Sequence, residues 1–237
     1  MKGFNKMINV INNKKSYSSS IVLIGNFSPM MFQPYWFKHC EILNDNEFNA
    51  IEKMGKTIIT DPLTVFETEN LAFKIEMKRL TIIAKKEPFE LMLDTFDRLQ
   101  EKLDSVLIEK FGINYSFHVD LESMENFKVF GDVIAPKQYW NTLFEDAADT
   151  IEKPSGLASM IMRKQTEFGC VNVKLESSAN FAHSVFFDFN FHFDGDPEEP
   201  LDILDVNEII GEKYTDFANY ADSVAQKLIE EVLINGK

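Results

Sequence analysis

The chain has 237 residues, 45% of them hydrophobic and 26% charged, which is typical of a soluble globular protein with a sizeable core. A formal net charge of −14, with only three arginines, excludes a broad nucleic-acid-binding surface, because phosphate contacts need clustered lysine and arginine. No apolar run approaches the roughly 20 residues of a membrane span, and the N-terminus lacks the apolar core of a signal peptide. We therefore expect a cytoplasmic protein that does not enter membranes.

The cysteine content agrees with a reducing compartment. Cys40 and Cys170 lie far apart in the sequence and show no framework spacing. Free thiols are favoured over a disulfide, because disulfides are rare in cytoplasmic proteins. No cofactor is predicted, since the sequence has no glycine-rich phosphate loop, no paired-cysteine motif and no paired-histidine zinc helix.

The first 19 residues are predicted to form a mobile basic arm. They contain four lysines and no acidic residue, whereas the remainder of the chain is strongly acidic. Apolar residues at helical spacing end at Asn12-Asn13, and serines 18–20 follow, so any helix stops early. The alternative is a short segment that becomes ordered against a partner or against the acidic body. Residues 20–237 are predicted to form a single domain.

Strands arrive in runs along the chain, and each run is followed by a long helix. In the first part, the predicted elements are strands at Ile21–Gly25, Thr57–Ile59, Thr64–Thr68, Leu71–Arg79 and Leu80–Lys86, and helices at Asp45–Gly55 and Pro88–Leu107. In the second part, they are strands at Tyr115–Leu121, Leu157–Thr166, Gly169–Glu176 and Ser184–Asp194, and helices at Glu122–Phe130, Lys137–Ala148 and Glu212–Ile234. Runs of strands are typical of antiparallel sheets in α+β folds.

The segment Ser184–Asp194 has the clearest strand pattern. Its odd-numbered residues from Val185 to Phe193 are apolar, and the residues between them are mostly polar. A side-chain period of two over this length predicts a strand with one buried face. Because each buried Phe contributes roughly 1.5–3 kcal/mol, the Phe face is expected in the core.

We therefore predict an α+β fold: a twisted, mostly antiparallel sheet with two long helices packed on its Phe-rich face. Three strands and a long helix between residues 64 and 110 are followed by three strands and a long helix between residues 157 and 234. The repetition suggests two degenerate βββα halves, at residues 20–112 and 113–237, which match in length more than in sequence.

The polar face of the strands carries the sharpest candidate constellation for catalysis. The candidate residues are Asp188 and His192 on one strand, His118 and Asp120 on another, and Asn172 and Lys174 on a third. If these strands are neighbours, carboxylates and imidazoles would cluster, as general acid–base chemistry or a divalent metal site requires. The alternative is an ordinary solvated face, which alternation produces in any one-sided antiparallel sheet. We assign no metal site.

The segment from Phe186 to Asp216 is strongly acidic, with ten carboxylates against one lysine. It lacks the alternating ligands and closing Glu of an EF-hand calcium loop, so a solvated loop is favoured. If the segment has a role, it attracts a basic partner surface and accelerates the encounter. The candidate partner-binding acids are Asp196, Glu198, Glu199 and Asp202.

Two segments rich in proline and aromatic residues contain both tryptophans of the chain. They run from Asn26 to Phe37 and from Phe130 to Trp140. Core packing is one interpretation of these aromatic side chains. The other is an exposed aromatic anchor that docks a partner, with Tyr35, Trp36 and Trp140 as the contacts.

The same two segments resemble a family of uncharacterised bacterial proteins with a sporadic distribution. The family pattern Asn-Phe-x-Pro…Phe-x-Pro-x-Trp-Phe is matched by Asn26, Phe27, Pro29, Phe32, Pro34, Trp36 and Phe37, and the pattern Phe-Gly…Ala-Pro-Lys-x-x-Trp by Phe130, Gly131, Ala135, Pro136, Lys137 and Trp140. The similarity extends from Ser20 to about Asp194. It implies no activity or site residue. The patchy distribution is suggestive of mobile or defence-associated gene neighbourhoods, which is an association rather than a mechanism.

These observations together predict a non-catalytic binding or adaptor protein, a subunit or partner in a bacterial complex such as an anti-phage system. The expected partner is another protein with a basic surface, and an oligomer stays open. One alternative is a pocket for an apolar or aromatic small molecule between the Phe-rich sheet and a long helix. Another is a hydrolase or nuclease that uses Asp188, His192 and His118.

Overall fold

The computed structural model describes residues 8–87, 89–103, 106–140, 156–166, 169–194 and 201–235. The strands are β1 (Lys14–Gly25), β2 (Ile58–Thr60), β3 (Leu63–Glu67), β4 (Leu71–Glu76), β5 (Arg79–Ala84), β6 (Ile108–Asp120), β7 (Ser159–Thr166), β8 (Gly169–Ser177) and β9 (Ser184–Asp194). The helices are α1 (Val10–Asn13), α2 (Pro34–His39), α3 (Asp45–Met54), α4 (Glu90–Gln100), α5 (Met124–Ile134), a 3-10 helix (Lys137–Trp140) and α6 (Ile203–Asn235).

These nine strands form one twisted, open sheet in the order β2-β3-β4-β5-β1-β6-β9-β8-β7. Every neighbouring pair is antiparallel. The predicted α+β class with a twisted antiparallel sheet is confirmed.

The helices pack on the Phe-rich face of the sheet. Phe217 of α6 stacks on Phe191 of β9 with ring centroids 4.7 Å apart. In the other half of the sheet, on the same face, Phe37 of α2 packs edge-on against Phe66 of β3 and Phe73 of β4. Helix α4 contacts β5 and α6, and α5 contacts α6. The Phe side chains at 187, 189 and 191 are fully buried, as the strand pattern predicts.

The strand order reads the same way outward from the central pair β1–β6. Strand β1 pairs with β5, followed by β4 and β3, and strand β6 pairs with β9, followed by β8 and β7. Each half begins with a long central strand and continues through a helical connection and a strand meander to a helix on the Phe-rich face. The repeated unit therefore includes a leading strand that the βββα halves lack. The predicted boundary at residue 112 is wrong, because it falls inside β6.

Residues 8–19 do not form the predicted mobile arm, and residues 1–7 of that arm lie outside the described part. Residues 14–19 form the first half of β1, which pairs with both β5 and β6 at the centre of the sheet. Just before it, Ile8 and Val10 are buried. The side chain of Gln226 on α6 accepts from the Val10 N–H at 2.7 Å and donates to the Ile8 carbonyl at 2.9 Å. This segment is thus fixed to the last helix of the chain.

Lys14 explains how a polar sequence enters a central strand. A β-bulge between Lys15 and Tyr17 places Lys14 on the Phe-rich face. There its side chain is 5% exposed and forms an ion pair with Asp222 of α6. The Lys14 ammonium also donates to the Tyr115 hydroxyl at 3.0 Å and lies 4.5 Å from the centroid of the Phe117 ring. These contacts compensate the loss of hydration of the buried charge.

Several helix ends also differ from the sequence predictions. Helix α6 begins at Ile203 instead of Glu212, and α4 ends at Gln100, so that Leu107 is exposed. Helix α3 is capped by Asn44, whose side chain accepts from two backbone N–H groups, and not by Asp45. The predicted helix at 137–148 is a 3-10 turn over its first four residues, and residues 141–148 lie outside the described part.

Two expectations from composition concern the cysteines and membrane-spanning helices. Cys40 and Cys170 are both free and half-buried. Among the described helices, none combines the length and the apolar character that crossing a bilayer requires.

Candidate functional site

The sheet face opposite the helices, here called the open face, consists of the alternating side chains that point away from the core. On β1 to β5 these are Lys15, Ser18, Ser20, Val22, Ile24, Ile58, Thr60, Leu63, Val65, Glu67, Ala72, Lys74, Glu76, Arg79, Thr81 and Ile83. On β6 to β9 they are Lys110, Gly112, Asn114, Ser116, His118, Asp120, Ser159, Ile161, Arg163, Gln165, Cys170, Asn172, Lys174, Glu176, Phe186, Asp188, Asn190, His192 and Asp194. All are half-buried or exposed apart from Gly112 and His118.

A continuous chain of hydrogen-bonded side chains, the amide row, crosses five strands of the open face. Its members are Ser20 (β1), Asn114 (β6), Asn190 (β9), Asn172 (β8) and Arg163 (β7). The first link is the Asn114 amide donating to the Ser20 hydroxyl at 2.9 Å. Asn190 donates to Asn114 at 2.6 Å, Asn172 to Asn190 at 3.2 Å, and Arg163 Nε to Asn172 at 2.8 Å. Each such bond contributes about 0.5–1.5 kcal/mol and fixes the side chains before any partner binds.

A hollow of about 310 Å³ lies beside the amide row, in the middle of the open face. Its floor is Gly112 of β6, which lies between Val22 of β1 and His192 of β9. The surrounding residues are Val22, Ile24, Arg79, Phe111, Asn114, Asn190 and His192. The sequence analysis suggested a pocket between the sheet and a long helix. This hollow lies on the opposite face of the sheet.

The charges of the open face are largely paired within the face. Its six carboxylates balance its six lysine and arginine side chains. The ion pairs are Lys15–Asp120 (2.6 Å), Lys74–Glu76 (2.9 Å), Lys110–Asp194 (2.6 Å) and Lys174–Glu176 (2.7 Å). The helix side differs, because α6 carries seven acidic residues and two lysines, and α4 three acidic residues and one arginine.

The candidate catalytic residues lie on neighbouring strands but in different cross-strand rows. Asp188 is opposite Ser116 and Lys174, whereas His192 is opposite Gly112 and Cys170. Four residues along one strand separate the two side chains by about 13 Å. Burial raises the pKa of Asp188, against the attraction of Lys174. His192 contacts Asp194 at 3.1 Å instead.

The second candidate pair lies two residues apart on the open face of β6, and each side chain has other contacts. His118 is packed against the rings of Phe181 and Phe186, and burial lowers its pKa. Asp120 forms an ion pair with Lys15. Burial by itself raises the pKa of Asp120, but the hydrogen bonds from Lys15 and from the Glu122 N–H together outweigh it, so the pKa is lowered. Within the described ranges, no three side chains of the His, Cys, Asp or Glu type converge as metal ligands would.

The predicted aromatic anchors have different environments. Trp36 is half-buried against Phe32 and Phe37, with ring centroids 4.8 and 5.2 Å apart. Tyr35 on the same helix is 69% exposed, and Trp140 is 58% exposed. Tyr35 and Trp140 thus stay available for contact, whereas Trp36 serves mainly the core.

Of the predicted acidic contacts, Asp202 is exposed just before α6. Asp196, Glu198 and Glu199 lie outside the described residues.

The sequence contained a signal for the amide row that the prediction used only in part, because its polar constellation included Asn172 but neither Asn114 nor Asn190. Asn114, Asn172 and Asn190 each stand at a polar position of an alternating strand. Asparagine is depleted in strands, so its recurrence at the polar positions of three strands points to a shared role. That the three side chains meet follows only from the order β6-β9-β8.

A scan against protein-family models finds no match to this chain, and a search of the curated proteins finds none either. The resemblance to the sporadically distributed bacterial family therefore stays a prediction. The class that the fold defines is an α+β protein with one antiparallel sheet, helices on one face and a polar and aliphatic open face on the other.

Proposed function

We propose that this chain is a non-catalytic binding protein that docks another protein on its open face. The observation that carries the proposal is the aliphatic part of that face. Val22, Ile24, Val65 and Ile83 are half-buried there, and Ile58 is 50% exposed. Apolar side chains on an open face, bordered by polar groups, are typical of interaction sites.

The size of the open face suits a protein partner. Nine strands spaced about 4.8 Å apart give a width of about 40 Å, and six-residue strands give a length of about 20 Å. The resulting area of about 800 Å² is what one partner contributes to an interface of standard size. The amide row reduces the entropic cost of binding, because its side chains are already fixed.

The charge distribution favours a basic protein as the occupant. Two copies of this chain would bring together two particles of formal charge −14, and this repulsion opposes self-association. A basic partner is instead attracted by the net negative charge of the chain, while the balanced charges of the open face add little repulsion. Nucleic acid is a poorer fit, because four of the six basic side chains on the face already bind carboxylates.

Site-specific photocrosslinking in the native host tests the location of the partner. A benzophenone amino acid replaces Thr81 on the open face and, as a matched control, the exposed Asp216 on α6. We expect a covalent adduct with one basic protein from position 81 and none from position 216. Adducts that form only from position 216 would contradict the proposal.

Affinity measurements with the partner protein that the cross-linking identifies then test the contacts. Ile83→Lys places a charge in the aliphatic part of the open face, and we expect at least a ten-fold loss of affinity. The control is Asn219→Lys, which adds the same charge at an exposed position of α6. Equal affinities of the two variants would remove the open face as the docking surface.

A further inference from the structure

Gly112 occupies a position where the neighbouring strand β9 comes close: a Cβ at residue 112 would lie 3.2 Å from the Phe191 carbonyl oxygen and 3.4 Å from Asn190 Nδ2. It lies inside the central strand β6, with uninterrupted pairing to Val22 of β1 and to His192 of β9. Its φ is not among the positive values of the chain, so the conformational freedom of glycine is not used here. Glycine in a strand interior costs stability relative to alanine, and it marks places where a ligand or another backbone approaches closely.

The space above Gly112 is the hollow, and its chemistry has two sides. Val22 and Ile24 supply an aliphatic wall beside the bare backbone of residue 112. On the other side, Asn114 and Asn190 line the hollow with their amides. Each amide nitrogen gives one hydrogen to the amide row, which leaves its second N–H for another acceptor. The exposed Arg79 completes the rim.

We infer that the hollow receives a tyrosine side chain of the protein partner; this inference rests on the proposed docking at the open face. The phenol ring covers Gly112 and packs on Val22 and Ile24, with the Arg79 guanidinium at its side. The phenolic oxygen accepts from the free amide hydrogens of Asn114 and Asn190. Tyrosine is among the residues most enriched at the energetic centres of interfaces.

The polar groups around the hollow favour tyrosine over a purely aliphatic side chain. Glu76 lies opposite Arg79 across the strand pair, and Asp194 contacts His192. Both carboxylates also form ion pairs with lysines, Glu76 with Lys74 and Asp194 with Lys110, so neither needs a cation from the partner. A purely aliphatic side chain would leave the amide hydrogens of Asn114 and Asn190 without an acceptor, which is costly for buried donors.

The inference can be tested with p-cresol, the side-chain analogue of tyrosine, in a titration followed by amide NMR of the whole chain. We expect shifts at Gly112, Val22 and the side-chain amides of Asn114 and Asn190, with a Kd on the order of 10 mM, as expected for a fragment of about eight non-hydrogen atoms. Toluene, which lacks the hydroxyl, should bind at least three-fold more weakly. Equal binding of toluene, or no shifts up to about 50 mM p-cresol, would overturn the inference.

Variants of the lining residues test whether p-cresol binds in the hollow. Gly112→Val fills the floor and should abolish the p-cresol shifts. Ser116→Val, on the same strand and the same face, is the control and should retain them. Arg79→Gln should weaken binding about three-fold. A Gly112→Val protein that still binds p-cresol with the wild-type Kd would show that the probe lies elsewhere and would refute the inference.

The same variants separate the two proposals. If p-cresol does not bind but Ile83→Lys releases the protein partner, the tyrosine inference fails and the docking face stands. If p-cresol binds in the hollow but no open-face variant alters partner binding, docking at this face fails. The tyrosine inference then fails with it, and the hollow is a small-molecule site.

Discussion

The two halves of the sheet share an arrangement of strands but differ in the chemistry of their open faces. Outward from the central pair β1–β6, one row of side chains reads Ser20, Ile83, Ala72 and Glu67 in the first half. In the second half the same row reads Asn114, Asn190, Asn172 and Arg163. On the open face, an aliphatic surface in the first half thus lies beside a hydrogen-bonded surface in the second half.

A repeated motif supports the alignment of the halves. The sequence Lys74-Ile75-Glu76 on β4 and the sequence Lys174-Leu175-Glu176 on β8 stand at equivalent distances from the centre. In both, the lysine and glutamate form an ion pair on the open face, and the residue between them is buried. The shared feature is the amphipathic strand that the fold needs, while the open-face row is free to diverge.

The largest expected effect concerns what the halves have in common, the core. Phe189→Ala should lower the free energy of unfolding by about 3–5 kcal/mol, and Ile82→Ala, at the corresponding position of β5, by about 2–5 kcal/mol. Both side chains are fully buried. Asn190→Ala, the open-face neighbour of Phe189, should cost about 1 kcal/mol. Urea unfolding measures all three, and equal losses for Phe189→Ala and Asn190→Ala would contradict the assignment of the two faces.

The second prediction concerns the link from the first half to α6 of the second. Lys14→Ala removes the buried partner of Asp222 and should destabilise the protein by about 3 kcal/mol. Lys15→Ala removes an ion pair in which the lysine is 42% exposed and should cost about 1 kcal/mol or less. Chemical denaturation compares the two variants. If Lys14→Ala costs no more than Lys15→Ala, residues 14–19 behave as the arm that the sequence predicts.

Double-mutant cycles can sharpen the contrast between the two central rows. The pair Asn114 and Asn190, which share a hydrogen bond, should show a coupling energy of about 0.5–1.5 kcal/mol when both are changed to alanine. The corresponding pair Ser20 and Ile83 has no such bond available, because the isoleucine side chain has no polar atom, and should show coupling near zero. Coupling of similar size in both cycles would mean that the amide row adds nothing specific.

The smallest effect is a difference in pH dependence at Asp188, whose counterpart in the first half is Thr81. Burial raises the pKa of Asp188 in the folded state, so its ionised form destabilises the fold. The destabilisation is complete above the folded pKa and disappears below the unfolded pKa of about 3.9. Asp188→Asn should therefore raise Tm at pH 7 and match the wild type near pH 3.

A control of opposite sign lies on the neighbouring strand. The hydrogen bond from Lys174 lowers the pKa of Glu176, so the charged carboxylate stabilises the folded state above its unfolded pKa. Glu176→Gln should slightly lower Tm at pH 7, and this difference should vanish as pH falls through the folded pKa. Thermal melts across pH 3–7 measure both variants. A lower Tm for Asp188→Asn at pH 7 would contradict the effect of burial.

The sequence alone determined the elements whose signal is local. Alternating Phe residues predict β9 and its buried face because side chains in a strand alternate regardless of what surrounds it. The stop of α3 at Gly55, with φ of 62°, follows from the ease with which glycine adopts that conformation. The same reasoning predicted the α+β class, since amphipathic strands in runs imply an antiparallel sheet with helices on one face.

Only the tertiary structure decided the features that join distant residues. Lys14 is buried because Asp222 of the last helix pairs with it, and nothing near residue 14 in the sequence carries that information. The amide row and the hollow likewise exist because β1, β6, β9 and β8 are neighbours in one register. A shift of one residue in any of these pairings would move the asparagines to the other face, so the candidate site is a property of strand order and register.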